Sequence, residues 1–317
     1  RNRSPQMDCM KDWIDATRAA CMLVIYLFHA YVYCQLFDER LMGLIYVTIN
    51  IFVVVSGYLF YQNHAAENTR RLSLRTDVRR ILERLVWPST VFATALFVPK
   101  MWFNHTEPQW DVFCYNVLGG MTFWFTSALA VAQLFFALLF AMKKPGRGWH
   151  VLVVVPFFLL GFWRPGLGDF PWRWTDGLEF TLYFALGGCY FMHEAQANRL
   201  IRRHRVVLTV LYGFIAAVYA LYPTPWVFMV FNVASFPVAI ACIRRFSRPH
   251  RAITFVGRNS LVFYLLCGLT PAAFATLLRH TCGIHAWTPW VVFPLSFATS
   301  AALTYGLKRC KIRWMRL

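Results

Sequence analysis

The sequence of 317 residues is 58% apolar and only 15% charged, whereas soluble domains carry about 25% charged residues. Its 32 basic and 14 acidic residues give a formal net charge of +18, which by itself would suit a nucleic-acid-binding protein. No RNA-binding aromatic motif or zinc knuckle occurs, so we expect no nucleic-acid partner. The composition excludes a soluble domain and predicts an all-α, polytopic membrane protein.

Ten apolar segments follow one another along the chain, and most are long enough to cross a bilayer as a helix. We therefore predict about ten transmembrane helices. The fifth and sixth segments are short, and either could instead be a re-entrant or broken helix. The segments are residues 19–37, 41–61, 85–103, 121–142, 149–163, 178–192, 206–222, 226–243, 257–278 and 286–307.

The basic residues are distributed unequally between the loops. With the N-terminus in the cytoplasm, the cytoplasmic segments hold 27 of the 32 Lys and Arg residues and the external loops hold 5. This asymmetry is what the positive-inside rule requires. It predicts a single membrane domain over residues 1–317, with a cytoplasmic N-terminus (1–18) and a cytoplasmic basic tail (308–317). Topology therefore accounts for the net charge.

The first apolar segment contains one ionisable side chain, His29, and the last charge before it is Arg18. Eleven positions make about three helical turns, so the two side chains share a face about 16 Å apart. Asp15 lies within about 40° of that face. An ionisable group inside a membrane helix is costly and usually functional, although a histidine that bonds a neighbouring helix is the alternative. We interpret the three residues as facing one cavity.

The second segment ends in Phe-Val-Val-Val-Ser-Gly-Tyr, residues 52–58. Gly57 would let another backbone approach closely, and Ser56 would place a hydroxyl inside the helix bundle. Packing of small residues between membrane helices is the alternative explanation.

A basic cytoplasmic stretch follows, in which Arg71, Arg75 and Arg79 share one helix face and Arg80 and Arg84 form a second pair. Guanidinium groups bind phosphate with two hydrogen bonds and stay charged, so the array suits a phosphate-rich ligand such as coenzyme A. Ordinary positive-inside bias is the alternative.

Two further elements complete the pattern. The fourth segment opens with Thr-Phe-Trp-Phe, in which Trp124 is either a functional residue or an interfacial anchor. The ninth opens with Gly257-Arg258-Asn259-Ser260 and continues to Tyr264 and Cys267.

Together these elements resemble the acyltransferase-3 family of membrane O-acyltransferases, in which Arg and His stand eleven positions apart in the first membrane helix. The family commonly has a histidine at the position of Cys267. The resemblance implies transfer of an acyl group, usually acetyl, from cytoplasmic acyl-coenzyme A to a hydroxyl of a cell-envelope glycan or glycolipid. It also implies a multi-pass protein of the inner (plasma) membrane, with membrane lipid, the glycan and acetyl-coenzyme A as its partners.

The resemblance also suggests residue roles. His29 would deprotonate the acceptor hydroxyl or take the acyl group itself, and the sequence leaves both paths open. Arg18 would hold the donor or order the cavity through Asp15. Ser56 and Tyr264 would stabilise the oxyanion. The predicted donor-binding residues are Arg75, Arg79, Arg80, Arg84 and Trp124.

The external loop at 163–179 places tryptophans beside acidic residues. Sugars bind to aromatic platforms flanked by carboxylates, so we predict an acceptor surface formed by Trp172, Trp174, Asp169 and Asp176. An aromatic belt at the membrane interface is the alternative. No metal is expected, because His280, Cys282 and His285 lack a partner motif.

A different class of function is also compatible with ten helices and an intramembrane His and Arg. A transporter or flippase for a lipid-linked saccharide would use His29 as a proton site. The two halves of the sequence show no matching broken helices or repeat, which favours the acyltransferase.

Overall fold

The computed structural model describes residues 5–37, 40–66, 73–103, 107–142, 149–163, 171–222, 224–245 and 250–309. Across these residues the regular elements are helices and no strand occurs, which confirms the all-α prediction. Fifteen α-helices follow in chain order: α1 (Pro5–Tyr33), α2 (Arg40–Ala66), α3 (Leu74–Ile81), α4 (Trp87–Phe103), α5 (Trp110–Phe113), α6 (Trp124–Met142), α7 (Trp149–Trp163), α8 (Trp174–Met192), α9 (Glu194–Arg203), α10 (Arg205–Leu221), α11 (Pro225–Arg245), α12 (Arg251–Arg258), α13 (Ser260–Leu266), α14 (Thr270–Thr281) and α15 (Thr288–Arg309).

Seven helical stretches in the described part of the chain are long and apolar enough to cross a membrane. An eighth is available if α9 and α10, which meet at an 80° bend, form one broken span. The predicted count of about ten is not confirmed. The difference arises at α7, which has 15 residues, and at α8, whose Asp176 and Glu179 lower its hydropathy. The seven stretches are Asp12–Tyr33, Ile45–Ala65, Leu74–Pro99, Trp124–Met142, Pro225–Arg244, Ser260–Thr281 and Thr288–Arg309.

The chain divides into two compact units. The first unit comprises residues 1–52 and 194–317, and the second comprises residues 53–193. The boundary falls within α2. The single domain over residues 1–317 stays a prediction.

In the first unit, α1 contacts the five helices from α11 to α15. Its buried residues Met22, Ile25, Tyr26 and Ala30 recur every three or four positions, so one face of the helix is packed. The Tyr26 hydroxyl donates a hydrogen bond of 2.8 Å to the carbonyl oxygen of Phe263. α1 is therefore the helix around which α11 to α15 pack.

In the second unit, the end of α2 and the middle of α8 meet through glycines. A Cβ atom added at Gly57 would overlap the backbone carbonyl of Phe184, and one added at Gly187 would overlap the carbonyl of Val54. This confirms the close backbone approach that the sequence predicts at Gly57. α8 also packs against α6 and α7.

The basic stretch of the second unit runs directly into a membrane span. α3 joins α4 through a π-helical turn, Leu82–Val86, in which the Trp87 N–H donates to the carbonyl oxygen of Leu82. Pro88 follows as the second residue of α4. Proline has no N–H to donate, and the π-helical turn just before it interrupts the regular α-helical hydrogen-bond pattern.

Candidate active site

Asp15, Arg18 and His29 lie on α1, which is continuous from Pro5 to Tyr33. Because the helix has no break, the predicted spacing applies: Arg18 and His29 are about 16 Å apart along the axis and about 20° apart around it. The two ionisable groups therefore lie on one side of the helix.

Asp15 is buried and connects α1 to α12. Arg258 Nε donates a hydrogen bond of 2.9 Å to Asp15 Oδ2. The neighbouring Gly257 has no side chain, and a Cβ atom there would overlap the Asp15 carbonyl oxygen. The sequence suggested that Arg18 holds the donor or orders the cavity through Asp15, and this role stays a prediction. In the structure the Asp15 carboxylate forms an ion pair with Arg258.

Arg18 lies close to α2, but no hydrogen bond joins its guanidinium to the described side chains of that helix. Its guanidinium carbon is 5.8 Å from the centroid of the Phe52 ring, a cation–π arrangement. Among the residues that the structure describes, the buried Nε of Arg18 has no hydrogen-bond partner. Because an unsatisfied buried donor is costly, this N–H group is suited to an anionic ligand.

His29 is half-buried among aromatic rings. Its imidazole stacks on the Tyr33 ring, with 5.9 Å between the ring centroids. It also makes an edge-to-face contact with the Phe28 ring, with 5.4 Å between the centroids. Neither ring nitrogen is hydrogen-bonded to another residue of the described ranges. In the neutral imidazole, one of these nitrogens is free to accept a proton.

The remaining residues predicted to be catalytic belong to different units. Tyr264 lies half-buried on α13 in the first unit, with Cys267 buried just beyond the end of that helix. Ser56 is buried in α2, within the second unit. Their predicted oxyanion role stays a prediction.

The predicted donor-binding arginines lie on α3 and on the turn after it. Arg75, Arg79 and Arg84 are exposed and Arg80 is half-buried. Arg79 Nε donates to Glu83 Oε1 at 2.7 Å, one helical turn away. Arg71 lies outside the described residues.

A contact between His64 and Asp77, which is buried on the basic helix α3, has no counterpart in the sequence prediction. His64 Nε2 is 3.1 Å from Asp77 Oδ2, and His64 Nδ1 is 2.8 Å from the Phe60 carbonyl oxygen. Both ring nitrogens thus face acceptors, and a neutral imidazole can donate from only one. In the sequence, the only sign of this contact is that Asp77 lies among arginines, and this pattern does not identify His64 as its partner.

Trp124 and Asp176 are brought together by Arg173. The Arg173 guanidinium carbon is 5.5 Å from the centroid of the Trp124 ring, and its Nε donates to Asp176 Oδ2. Asp176 is only 2% exposed. Its carboxylate is therefore engaged within the protein, at the N-terminal end of α8.

The two tryptophans of the predicted acceptor surface are half-buried. Trp172 has a left-handed backbone (φ 64°), and its N–H donates to the Gly119 carbonyl oxygen. Trp174 begins α8. Asp169 lies outside the described residues, so the complete acceptor surface stays a prediction. No group of three or more metal-binding side chains occurs in the described part of the chain.

These features define a helical, multi-pass membrane protein whose first helix presents an arginine and a histidine without hydrogen-bond partners in the described ranges. The chain belongs to the acyltransferase-3 family, because the model of that family, an acyltransferase domain, matches residues 11–309. No curated protein and no solved structure matches the chain. The protein is therefore a membrane acyltransferase, and the matched range includes every predicted site residue.

Proposed function

We propose that this protein transfers an acetyl group from acetyl-coenzyme A, on the cytoplasmic side of the inner (plasma) membrane, to a hydroxyl of a cell-surface glycan or glycolipid. The observation that supports this most directly is the pair of Arg18 and His29, which lie on one side of the continuous helix α1. The family match favours this function over the transporter that the sequence left open.

The donor would lie along α1. Arg18, near the predicted cytoplasmic end of the helix, has an unused buried N–H for a phosphate of coenzyme A. His29 lies about 16 Å further along the axis, a distance comparable to the extended pantetheine arm of the donor. The thioester would thus reach the imidazole while the phosphates stay at the membrane edge.

The reaction needs a base, because a sugar hydroxyl is a poor nucleophile until its proton is removed. In the proposed step, a His29 ring nitrogen takes the hydroxyl proton as the oxygen attacks the thioester carbonyl. The carbon–sulfur bond then breaks, and the coenzyme A thiolate takes up the proton. Tyr264 would donate a hydrogen bond to the oxyanion. The roles of Ser56, the α3 arginines and Trp124 rest on the family resemblance.

Replacement of His29 tests this proposal. We expect His29→Ala to lower acetyl transfer by about 10²- to 10⁴-fold, the usual contribution of a general base. The measurements are consumption of labelled acetyl-coenzyme A by purified protein, and mass spectrometry of envelope glycans from a deletion strain that carries each variant. Arg18→Gln should weaken donor binding, seen as a raised KM for acetyl-coenzyme A.

His280→Ala and Arg251→Gln are matched controls, because both residues are exposed and neither has a role in the proposed reaction. Both should retain full activity at normal membrane levels. Glycan acetylation that persists in the His29→Ala strain would contradict the proposal. Accumulation of saccharide in vesicles without thioester consumption would instead indicate the transporter.

A further inference from the structure

A second polar site lies in the first unit, in a groove of about 760 Å³ between α9, α10 and α11. The groove is lined by Arg202 and Arg205 beside the bend that joins α9 to α10, and by the apolar side chains of Val206, Val210 and Ile240. None of these residues has a role in the acetyl transfer proposed above.

The two arginines are available to a ligand. Both are exposed, and neither guanidinium group forms a hydrogen bond or ion pair within the described part of the chain. Arg244, on the opposite side of the groove, donates to Glu194 and lies 5.1 Å from the centroid of the Trp13 ring. Glu194, the neighbouring acid, is therefore already paired with Arg244, so its charge does not neutralise Arg202 or Arg205.

The position of the bend places these charges at the membrane surface. α10 has no buried residue and exposes Val206, Val207 and Val210, as expected for a helix in contact with lipid. α9 turns by 80° from α10, and its only buried residue is Ile201. If α10 spans the bilayer, this amphipathic helix lies along the interface.

We propose that the groove binds an anionic phospholipid, with the phosphate of the headgroup on Arg202 and Arg205 and an acyl chain along Val206, Val210 and Ile240. The lining combines cationic groups at headgroup level with an apolar wall that continues into the lipid-exposed surface of α10. A ligand that satisfies both parts needs an anionic head and a hydrocarbon tail. Positive-inside topology predicts that this bend is cytoplasmic, the leaflet face where basic clusters recognise anionic lipids.

The test is lipid binding to the purified full-length protein in nanodiscs of phosphatidylcholine with or without phosphatidylglycerol. Native mass spectrometry should show retained phosphatidylglycerol on the natural protein. Arg202→Gln together with Arg205→Gln should weaken its binding by about 30-fold, because each lost hydrogen-bonded contact between a guanidinium and the phosphate costs about 1 kcal/mol. Thr209→Trp, which fills the groove without a change of charge, should displace the lipid as well.

Arg199→Gln together with Arg203→Gln is the matched control, because these exposed arginines lie on α9 outside the groove lining. This variant should bind phosphatidylglycerol like the natural protein. Equal losses in both double variants would show that only diffuse charge attracts the lipid and would overturn the proposal. Displacement of the lipid by acetyl-coenzyme A would assign the groove to the donor and overturn it too. If the Gln variant does not fold, Thr209→Trp, which keeps both charges but fills the groove, tests the site by itself: unchanged phosphatidylglycerol binding in that variant would overturn the proposal.

Discussion

At the scale of single residues, burial separates the polar groups of α1 into two kinds. The Asp15 carboxylate is buried and has a definite partner in Arg258, so its position is determined by packing and an ion pair. Arg18 and His29 have no such hydrogen-bond partner in the described ranges. We infer that Asp15 positions α1 against α12, whereas the other two side chains are available to substrates.

The structural role of the Asp15–Arg258 pair predicts that removing one partner destabilises the protein more than removing both charges. Arg258→Gln should destabilise the protein by ~1–3 kcal/mol, because it leaves a buried carboxylate without its charged partner. Adding Asp15→Asn should restore part of the loss, since no charge is then buried. Thermal unfolding in detergent measures both effects, with Asp12→Asn and Arg251→Gln as controls. A double variant less stable than Arg258→Gln alone would argue against this role.

At the scale of helices, close backbone contact explains why glycines occur at particular positions. α2 and α8 approach through Gly57 and Gly187, where any side chain would meet a backbone carbonyl rather than a mobile side chain. Gly213 and Gly306 also lie in helices, but apart from the backbone of its own helix no described atom lies within 4 Å of the position of an added Cβ. Gly57 and Gly187 are therefore required for close helix packing, whereas Gly213 and Gly306 are not, and only the tertiary structure distinguishes the two pairs.

Alanine substitutions distinguish the two kinds of glycine. Gly57→Ala and Gly187→Ala should each cost ~1–3 kcal/mol, because the added methyl group forces the helices apart. Gly213→Ala and Gly306→Ala should be neutral, or stabilising by up to ~1 kcal/mol, since alanine favours a helix. Thermal unfolding and the amount of protein recovered in the membrane report the difference. Equal effects at all four positions would contradict the observed helix contact.

At the scale of the whole molecule, the arrangement of spans determines which loops face each compartment. The span Ser260–Thr281 separates Arg251 from Cys282, and both of these residues are exposed. The distribution of basic residues predicts that Arg251 lies in the cytoplasm and Cys282 outside.

Thiol labelling of intact cells tests this topology. A membrane-impermeant maleimide should label Cys282 from outside, whereas a cysteine introduced by Arg251→Cys should react only after the cells are permeabilised. Cys282→Ser should remove the external label, and peptide mass spectrometry identifies the modified residue. Labelling of position 251 in intact cells would reverse the predicted orientation.

The sequence by itself determined the helical membrane class, the family and the position of Arg18 and His29 along one helix. These properties depend on local composition and on helical periodicity, which are readable without knowledge of neighbouring elements. The sequence did not determine the number of membrane spans. The 15-residue α7 is close to the minimum length for crossing a bilayer, and the acidic residues of α8 lower its hydropathy.

Only the tertiary structure determined which side chains from distant parts of the chain contact each other. Asp15 pairs with Arg258, 243 positions away along the chain, and His64 pairs with Asp77 across two helices. The groove beside Arg202 and Arg205 likewise exists only because α10 and α11 pack at the bend with α9. Such contacts depend on how distant helices pack, and a charge pattern along one chain does not specify which opposite charge or ring will lie beside it.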